Sequence, residues 1–196
     1  LFATDAALYV GIRCAEPKPD ALVTTGEFWE RDEVEVFIEP LADTLKKPYH
    51  QISIDAAGSV SCNRWHVYKR WFEERALEEK WTPKIEVATS KDAGSWSVAA
   101  RIPFDQLVMS GDARAKKTPW RLQVGRVRAA RPGDPGSMCL WSPTGAGGFQ
   151  WPVKFGYALV EPFASPELID AVKRAPPAAG DASAARAKDP AVLAEI

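Results

Sequence analysis

Apolar and polar residues alternate over most of the first 160 residues, and residues that favour turns separate the alternating stretches. A period of two is typical of strands that bury one face. Short strands at close spacing, without helical patterns between them, predict an all-β fold, either an antiparallel sandwich or a barrel. The predicted strands cover residues 7–14, 32–40, 49–60, 84–90, 95–104, 120–130, 138–143 and 155–161.

Helical patterns are few. Residues 71–81 carry apolar side chains near helical spacing and predict one or two helical turns. A clearer helix follows Ser165, which suits the N-cap, with Pro166 at the first helical position. The chain beyond is rich in Ala and Pro and lacks aromatic residues, which predicts a linker or disordered tail. The predicted organisation is a β-sandwich over 1–163, a short helix over 164–175 and the tail over 176–196.

The charge balance narrows the classes of partner. The chain has 25 Lys and Arg against 26 Asp and Glu, a net charge of −1, so it offers no basic field for nucleic acid or anionic lipid. No apolar run reaches the ~18 residues that a membrane helix needs, and the first residues show no signal peptide. The chain starts without Met and already inside a strand-like pattern, so we expect it to be part of a longer polypeptide.

Neither cysteine nor histidine spacing indicates a metal or redox site. Cys14, Cys62 and Cys139 are far apart and form no CxxC pair, which leaves buried thiols, or one disulfide with one cysteine over. His50 and His66 show no HxxxH spacing.

Tryptophan is abundant, with eight residues in 196. Trp96 and Trp120 lie near strand starts and are expected in the core or in sheet-edge packing, and Trp141 at a strand end is expected in the core. Because the indole ring can also present a flat apolar face to a ligand, we expect some of the others to do so.

The stretch FWERDEVEVFIEP, residues 28–40, combines two aromatic residues with an acidic strand. Placing its aliphatic residues inward leaves a second face made of Glu33, Glu35, Phe37 and Glu39. This face is either a solvated acidic surface or the floor of a ligand site.

Several segments in order resemble the family 9 carbohydrate-binding modules and their relatives in the DOMON-like superfamily: LYVGIR, FWERDEVEVFIEP, YHQISIDAAG, SWSVAARIPFDQL, LQVGRVR and CLWSP with FQWPVKFGYALV. The resemblance implies a jelly-roll β-sandwich that binds mono-, oligo- or polysaccharides of cellulose or xylan type without catalysis. It also implies a module of a larger extracellular or periplasmic protein, with other domains of the same polypeptide as partners.

The same resemblance implies a sugar slot between two aromatic walls. Trp29 stands at the position of the first wall, and Phe149 or Trp151 at that of the second. Glu35 matches a carboxylate that accepts hydrogen bonds from sugar hydroxyls, and Gln123 matches an amide on a neighbouring strand. The chemistry suits a pyranose, whose faces carry C–H groups and whose rim carries hydroxyls.

The chain also departs from the family pattern. Ser53 replaces an Arg of well-known binders, and a family Asn has no counterpart in GAGGFQ, so sugar binding would be weakened, altered or lost. The family's first strands would precede Leu8. Some family members hold structural calcium, for which Asp32, Asp43 and Asp55 near turns are the candidates. No other cofactor is expected.

Three other functions compete with sugar binding. A purely structural sandwich would pack Trp29 against an upstream segment. Haem binding occurs in the wider superfamily, but the available ligands form no recognisable arrangement: Met109, Met138, His50, His66 and Lys154. Catalysis is disfavoured because the chain has no GxSxG, HExxH, P-loop or GxGxxG motif. Glu33 and Glu35, adjacent on one strand, are poorly placed to flank a glycosidic bond.

Overall fold

A computed structural model describes residues 1–40, 48–70, 73–107, 119–145, 148–160 and 165–174. Within them the chain forms antiparallel β-sheets and one α-helix. The elements are β1 (Phe2–Ala3), β2 (Ala7–Ala15), β3 (Glu33–Glu39), β4 (Tyr49–Asp55), β5 (Val60–Arg70), β6 (Glu73–Lys80), β7 (Glu86–Asp92), β8 (Ser95–Pro103), β9 (Trp120–Arg128), β10 (Ser137–Leu140), β11 (Gly156–Ala158) and α1 (Pro166–Arg174).

The strands form two sheets. The smaller sheet has the order β1-β2-β8-β7, and the larger has the order β10-β9-β3-β4-β5-β6. The short strand β11 pairs with the first half of β9, on the same side as β10. The acidic strand β3 is central in the larger sheet because it pairs with β4 on one side and β9 on the other. The predicted antiparallel sandwich is confirmed.

The core lies between the two sheets and follows the predicted alternation. Val34, Val36 and Ile38 of β3 face it and are buried. From the smaller sheet the alternate residues of β2 and β8 meet them, together with the fully buried Trp96. Trp120 at the start of β9 is also buried, as expected. Burying an aliphatic side chain contributes about 1.5–3 kcal/mol, so this layer is the main source of stability.

The prediction for residues 71–81 is wrong. Residues 73–80 form strand β6, which pairs with β5 as an antiparallel hairpin. EERALEEK is rich in helix formers, but helix propensity is a weak preference that tertiary pairing overrides. The predicted strand over 49–60 divides into β4 and β5 at a turn where Gly58 has φ 86°, a conformation that glycine adopts without strain.

Helix α1 begins one residue after Ser165 and ends at Arg174. The Ser165 hydroxyl accepts a hydrogen bond from the backbone N–H of Leu168 at 3.3 Å, which is the geometry of an N-cap. Residues 176–196, predicted as a tail, lie outside the described residues. Among the described helices, none has the length and apolar character needed to cross a membrane.

Candidate functional site

The candidate site lies on the outer face of the larger sheet, opposite the core. Phe37 points to this face because it alternates with Val36 and Ile38. Residues 148–155 fold over it and bring two further rings down, so that Phe149 and Phe155 lie 6.5 and 5.6 Å from the Phe37 ring. An aromatic cluster therefore covers the second face of β3 around Phe37. All four residues of this face are buried, so the interpretation as a solvated acidic surface is wrong.

Trp29 stands at the entrance to β3 on a short 3-10 turn, Phe28–Glu30. The Glu27 and Glu30 side chains form a capping box that satisfies backbone N–H groups at the N-terminal end of this turn. Arg31 then fixes the turn to the sheet, since it donates to Asp55 at 2.8 Å and packs over the Phe28 ring at 4.4 Å. With its neighbours held, Trp29 leaves 68% of its own surface exposed.

The two aromatic candidates for the second wall differ in exposure. Phe149 is 6% exposed and its ring lies directly above Gly125, where a Cβ atom would be 2.7 Å from the ring. Trp151 is 44% exposed and is held by a backbone hydrogen bond to Phe149 at 2.9 Å. Phe149 is therefore the buried ring of this pair, at the base of the second wall, and Trp151 is the exposed ring.

A cleft of about 460 Å³ opens between these elements. It is lined by Trp29, Glu35, Val127, Met138, Gly148, Phe149, Gln150 and Trp151. Four of the five residues proposed from the sequence thus meet at one cleft. Among the described residues that line the cleft there is no lysine or arginine, so this lining suits a ligand without negative charge.

Glu35 lies on the floor of the cleft. Its two cross-strand neighbours, Ser53 on β4 and Gly125 on β9, are small, and the carboxyl group is therefore reachable at the base of a hollow. Glu35 is 8% exposed and accepts a hydrogen bond of 2.6 Å from the Gln51 amide. Burial raises the pKa of Glu35 to about 7, although the bond from Gln51 acts to lower it.

Glu33 lies two residues earlier on the same face and is 1% exposed. Burial raises its pKa to about 9, and the nearby Glu35 charge adds to the rise. The Oε2 atom of Glu33 is buried without a hydrogen-bond partner. Glu33 does not line the cleft, so the floor offers the Glu35 carboxyl group alone, and the raised pKa of Glu33 favours its neutral form beneath the floor.

Gln123, the fifth proposed residue, is not at the cleft surface. It is fully buried, and its amide donates to the Ser142 carbonyl at 2.5 Å and accepts from the Ser142 N–H at 2.9 Å. In the structure it attaches the chain after β10 to β9, which is a positioning role. A ligand contact by Gln123 stays a prediction.

The described carboxylates proposed as calcium ligands, Asp32 and Asp55, accept hydrogen bonds from protein groups. Asp32 accepts from the backbone of Val23 at 2.8 Å and from Arg131 at 2.6 Å. Asp55 accepts from Arg31 and from the N–H groups of residues 57 and 59. Asp43 lies outside the described residues. Within the described residues, no three His, Cys, Asp or Glu side chains form a group that could hold a metal ion.

The haem-ligand candidates are dispersed. His50 is buried in contact with the ring of Trp81, and His66 pairs with Glu79 at 3.0 Å on the surface. Met138 lines the cleft, and Met109 lies outside the described residues. Cys14, Cys62 and Cys139 are free thiols, the first two of them buried. Trp141, expected in the core, is 39% exposed and packs against Gly156.

Sequence reasoning missed a second set of polar residues around Glu35. Gln51 on β4 links Glu35 to the indole N–H of Trp65 on β5, which donates to the Gln51 amide oxygen at 2.5 Å. Gln150 donates to the same oxygen at 3.3 Å. The period-two alternation of β4 is a signal that puts Gln51 on this face. It could not reveal the hydrogen-bond partners of Gln51, because they lie on other strands and in a distant loop.

Three solved structures with a similar fold are all described as carbohydrate-binding. The chain is similar to a family 9 carbohydrate-binding module from Caldicellulosiruptor kristjanssonii in complex with glucose, with a TM-score of 0.56 and 14% identity over 82% of this chain and 72% of that one. The same kind of module in complex with cellotriose gives a TM-score of 0.55 and 14% identity over 79% and 69%.

A third similar structure is a protein from Bacteroides uniformis assigned to carbohydrate binding, with a TM-score of 0.51 and 17% identity over 76% of this chain and 69% of that one. No protein-family model matches the chain, and none of the curated proteins matches it significantly. The likeness establishes the fold: the chain has the β-sandwich fold of these carbohydrate-binding modules.

Proposed function

We propose that the chain is a non-catalytic carbohydrate-binding module that holds a neutral sugar ring between Trp29 and Trp151. The observation that carries the proposal is the cleft itself. Two tryptophans, 68% and 44% exposed, line one hollow with a buried carboxyl group at its floor. Exposed indole rings supply the apolar area that sugar C–H faces require, and Glu35 and Gln150 supply polar atoms for the hydroxyl rim.

The size and charge of the cleft support this ligand class. Its volume of about 460 Å³ lies within the range of small-molecule sites and is sufficient for a short oligosaccharide. The structurally similar modules hold glucose and cellotriose, which are therefore the first probes to use.

The carboxyl groups support binding without catalysis. Glu33 and Glu35 lie on the same strand face, about 7 Å apart by the strand rise. Glu33 is buried beneath the surface and is not among the residues that line the cleft. A glycosidase needs two carboxyls that both reach the scissile bond from opposite sides, which this pair does not provide. We further propose that the module belongs to a larger exported protein, testable by fractionating cells that produce the native polypeptide.

Titration calorimetry with glucose and cellotriose tests the proposed function. The variants Trp29→Ala and Trp151→Ala are each expected to weaken binding at least about tenfold, equal to about 1.4 kcal/mol. Tyr157→Ala is the matched control, because Tyr157 is 65% exposed on β11 and does not line the cleft. Absence of binding by the folded wild-type chain, or equal loss in the Tyr157 variant, would refute the proposal and favour a ligand-free structural sandwich.

A further inference from the structure

The side-chain amide of Gln51 has a fixed orientation. Its oxygen accepts from the Trp65 indole N–H at 2.5 Å and from the Gln150 amide at 3.3 Å. An indole N–H can only donate, so the atom that faces Trp65 must be the amide oxygen. The amide nitrogen is then directed at Glu35, to which it donates at 2.6 Å.

The hydrogen bonds of Gln51 connect parts of the cleft that are distant in sequence. Gln150 lies between Phe149 and Trp151, the base and the exposed ring of the second wall. Glu35 lies on β3, in the floor. Trp65 lies on β5 and stacks on Tyr49, with ring centroids 6.4 Å apart. One buried amide, itself 8% exposed, therefore joins wall, floor and neighbouring strands.

We propose that Gln51 is a positioning residue that couples the second wall of the cleft to the proton state of Glu35, so that sugar binding releases a proton. This inference rests on the proposed function. A bound hydroxyl that donates to Glu35 favours the carboxylate, and the proton leaves to solvent. Gln51 favours the same form, because its N–H group donates to the charged oxygen.

The surroundings of Glu35 permit this titration. Among the described side chains on this sheet face, the charged groups closest along the strand pairings are Glu33 on β3, Asp55 at the end of β4 with its partner Arg31, and Lys80 on β6, whose ammonium group donates to Ser61 at 3.4 Å. The side chains that line the cleft from β9, β10 and residues 148–151 are uncharged: Val127, Met138, Phe149, Gln150 and Trp151. Of the described residues that line the cleft, Glu35 is therefore the one with an ionisable side chain.

A ligand-free titration by NMR tests the coupling independently of the proposed function. In the wild-type chain, the Glu35 carboxyl carbon is expected to titrate with a midpoint near its pKa of about 7. The Trp65 indole N–H and the Gln150 amide are expected to shift with the same midpoint. Gln51→Leu is expected to raise the Glu35 midpoint and to remove the response of the other two groups.

The control variant is Asn63→Ala, which removes an amide at the position paired with Gln51 on the same sheet face. It should leave all three titrations unchanged. Should Gln51→Leu fail to fold, Trp65→Phe removes one donor to the Gln51 oxygen and is expected to change the Gln150 response. A wild-type chain in which Trp65 and Gln150 do not respond at the Glu35 midpoint would overturn the proposal.

Calorimetry with cellotriose adds the binding step. In two buffers of different ionisation enthalpy, binding at pH 7, near the Glu35 midpoint, is expected to release about half a proton per site, and binding at pH 6 nearly one. Affinity is expected to fall by up to about tenfold per pH unit below the midpoint. Binding with no proton release would overturn the linkage while leaving the proposed function intact. A chain that binds neither glucose nor cellotriose but shows the NMR coupling would refute the proposed function and retain the role of Gln51.

Discussion

Replacing Glu33 with glutamine is expected to change how the stability of the protein depends on pH. Glu33 is 1% exposed, and burial raises its pKa from 4.5 to about 9. Between these two values the folded protein keeps the proton while the unfolded chain has lost it. A raised pKa therefore contributes stability that is present at low pH and is lost as the pH rises.

The size of this pH dependence follows from the one proton that the folded chain binds and the unfolded chain does not. Over this window the free energy of unfolding of the wild-type chain falls by about 1.4 kcal/mol per pH unit because of Glu33. From pH 6 to pH 8 the loss amounts to up to about 3 kcal/mol. Glutamine keeps the shape of the side chain and carries no charge in either the folded or the unfolded state. The free energy of unfolding of Glu33→Gln should therefore rise relative to that of the wild type by this amount between pH 6 and pH 8.

The assay is urea unfolding followed by tryptophan fluorescence at pH 5.5 to 8 and constant ionic strength. Glu86→Gln on the exposed strand β7 is the matched control for loss of one carboxylate. Its stability curve should stay parallel to that of the wild type. If the curve of Glu33→Gln is also parallel to the wild type between pH 6 and pH 8, Glu33 is not a buried protonated acid and the reasoning is refuted.

Two further predictions concern the cleft. Gly125→Ala should destabilise the chain by about 1–3 kcal/mol and weaken sugar binding, because the added Cβ would lie 2.7 Å from the Phe149 ring. The control is Gly11→Ala, which should change the urea midpoint of unfolding little because the space around its Cβ is open. Equal destabilisation by the two variants would contradict the packing of Phe149 on Gly125. Glucuronate should bind about tenfold more weakly than glucose at pH 8, because Glu35 is then largely ionised and the described lining residues include no cation. In calorimetry, the variant Glu35→Gln should show a smaller ratio between the two affinities. A ratio that is unchanged in that variant would contradict the role assigned to Glu35.

The parts of the fold that depend on local pattern could be predicted. Alternation in β3 identified the core residues Val34 and Val36 because each strand residue commits to one face. Alternation could not show what covers the other face, since Phe149 and Phe155 come from more than 100 residues away. For residues 73–80 the local preference for helix was overridden by pairing with β5, which depends on the hairpin as a whole.

Of the candidate site, too, the sequence could indicate single residues but not the contacts between distant parts of the chain. Trp29 stood out because an aromatic residue before an acidic strand has little structural reason to be there, and the structure leaves it exposed. The Gln51 amide gave no signal, because an isolated glutamine on a strand is ordinary. Its importance arises from partners on β3, β5 and the loop at Gln150, which only the folded chain brings together.

The central claim is that Trp29 and Trp151 hold the sugar, and the indole N–H signals of the eight tryptophans test it within one titration. On addition of cellotriose, the signals of Trp29 and Trp151 are predicted to shift together and saturate at one affinity. Those of the buried Trp96 and Trp120 are predicted to stay in place. A titration in which neither Trp29 nor Trp151 responds, while the protein remains folded, would contradict the account.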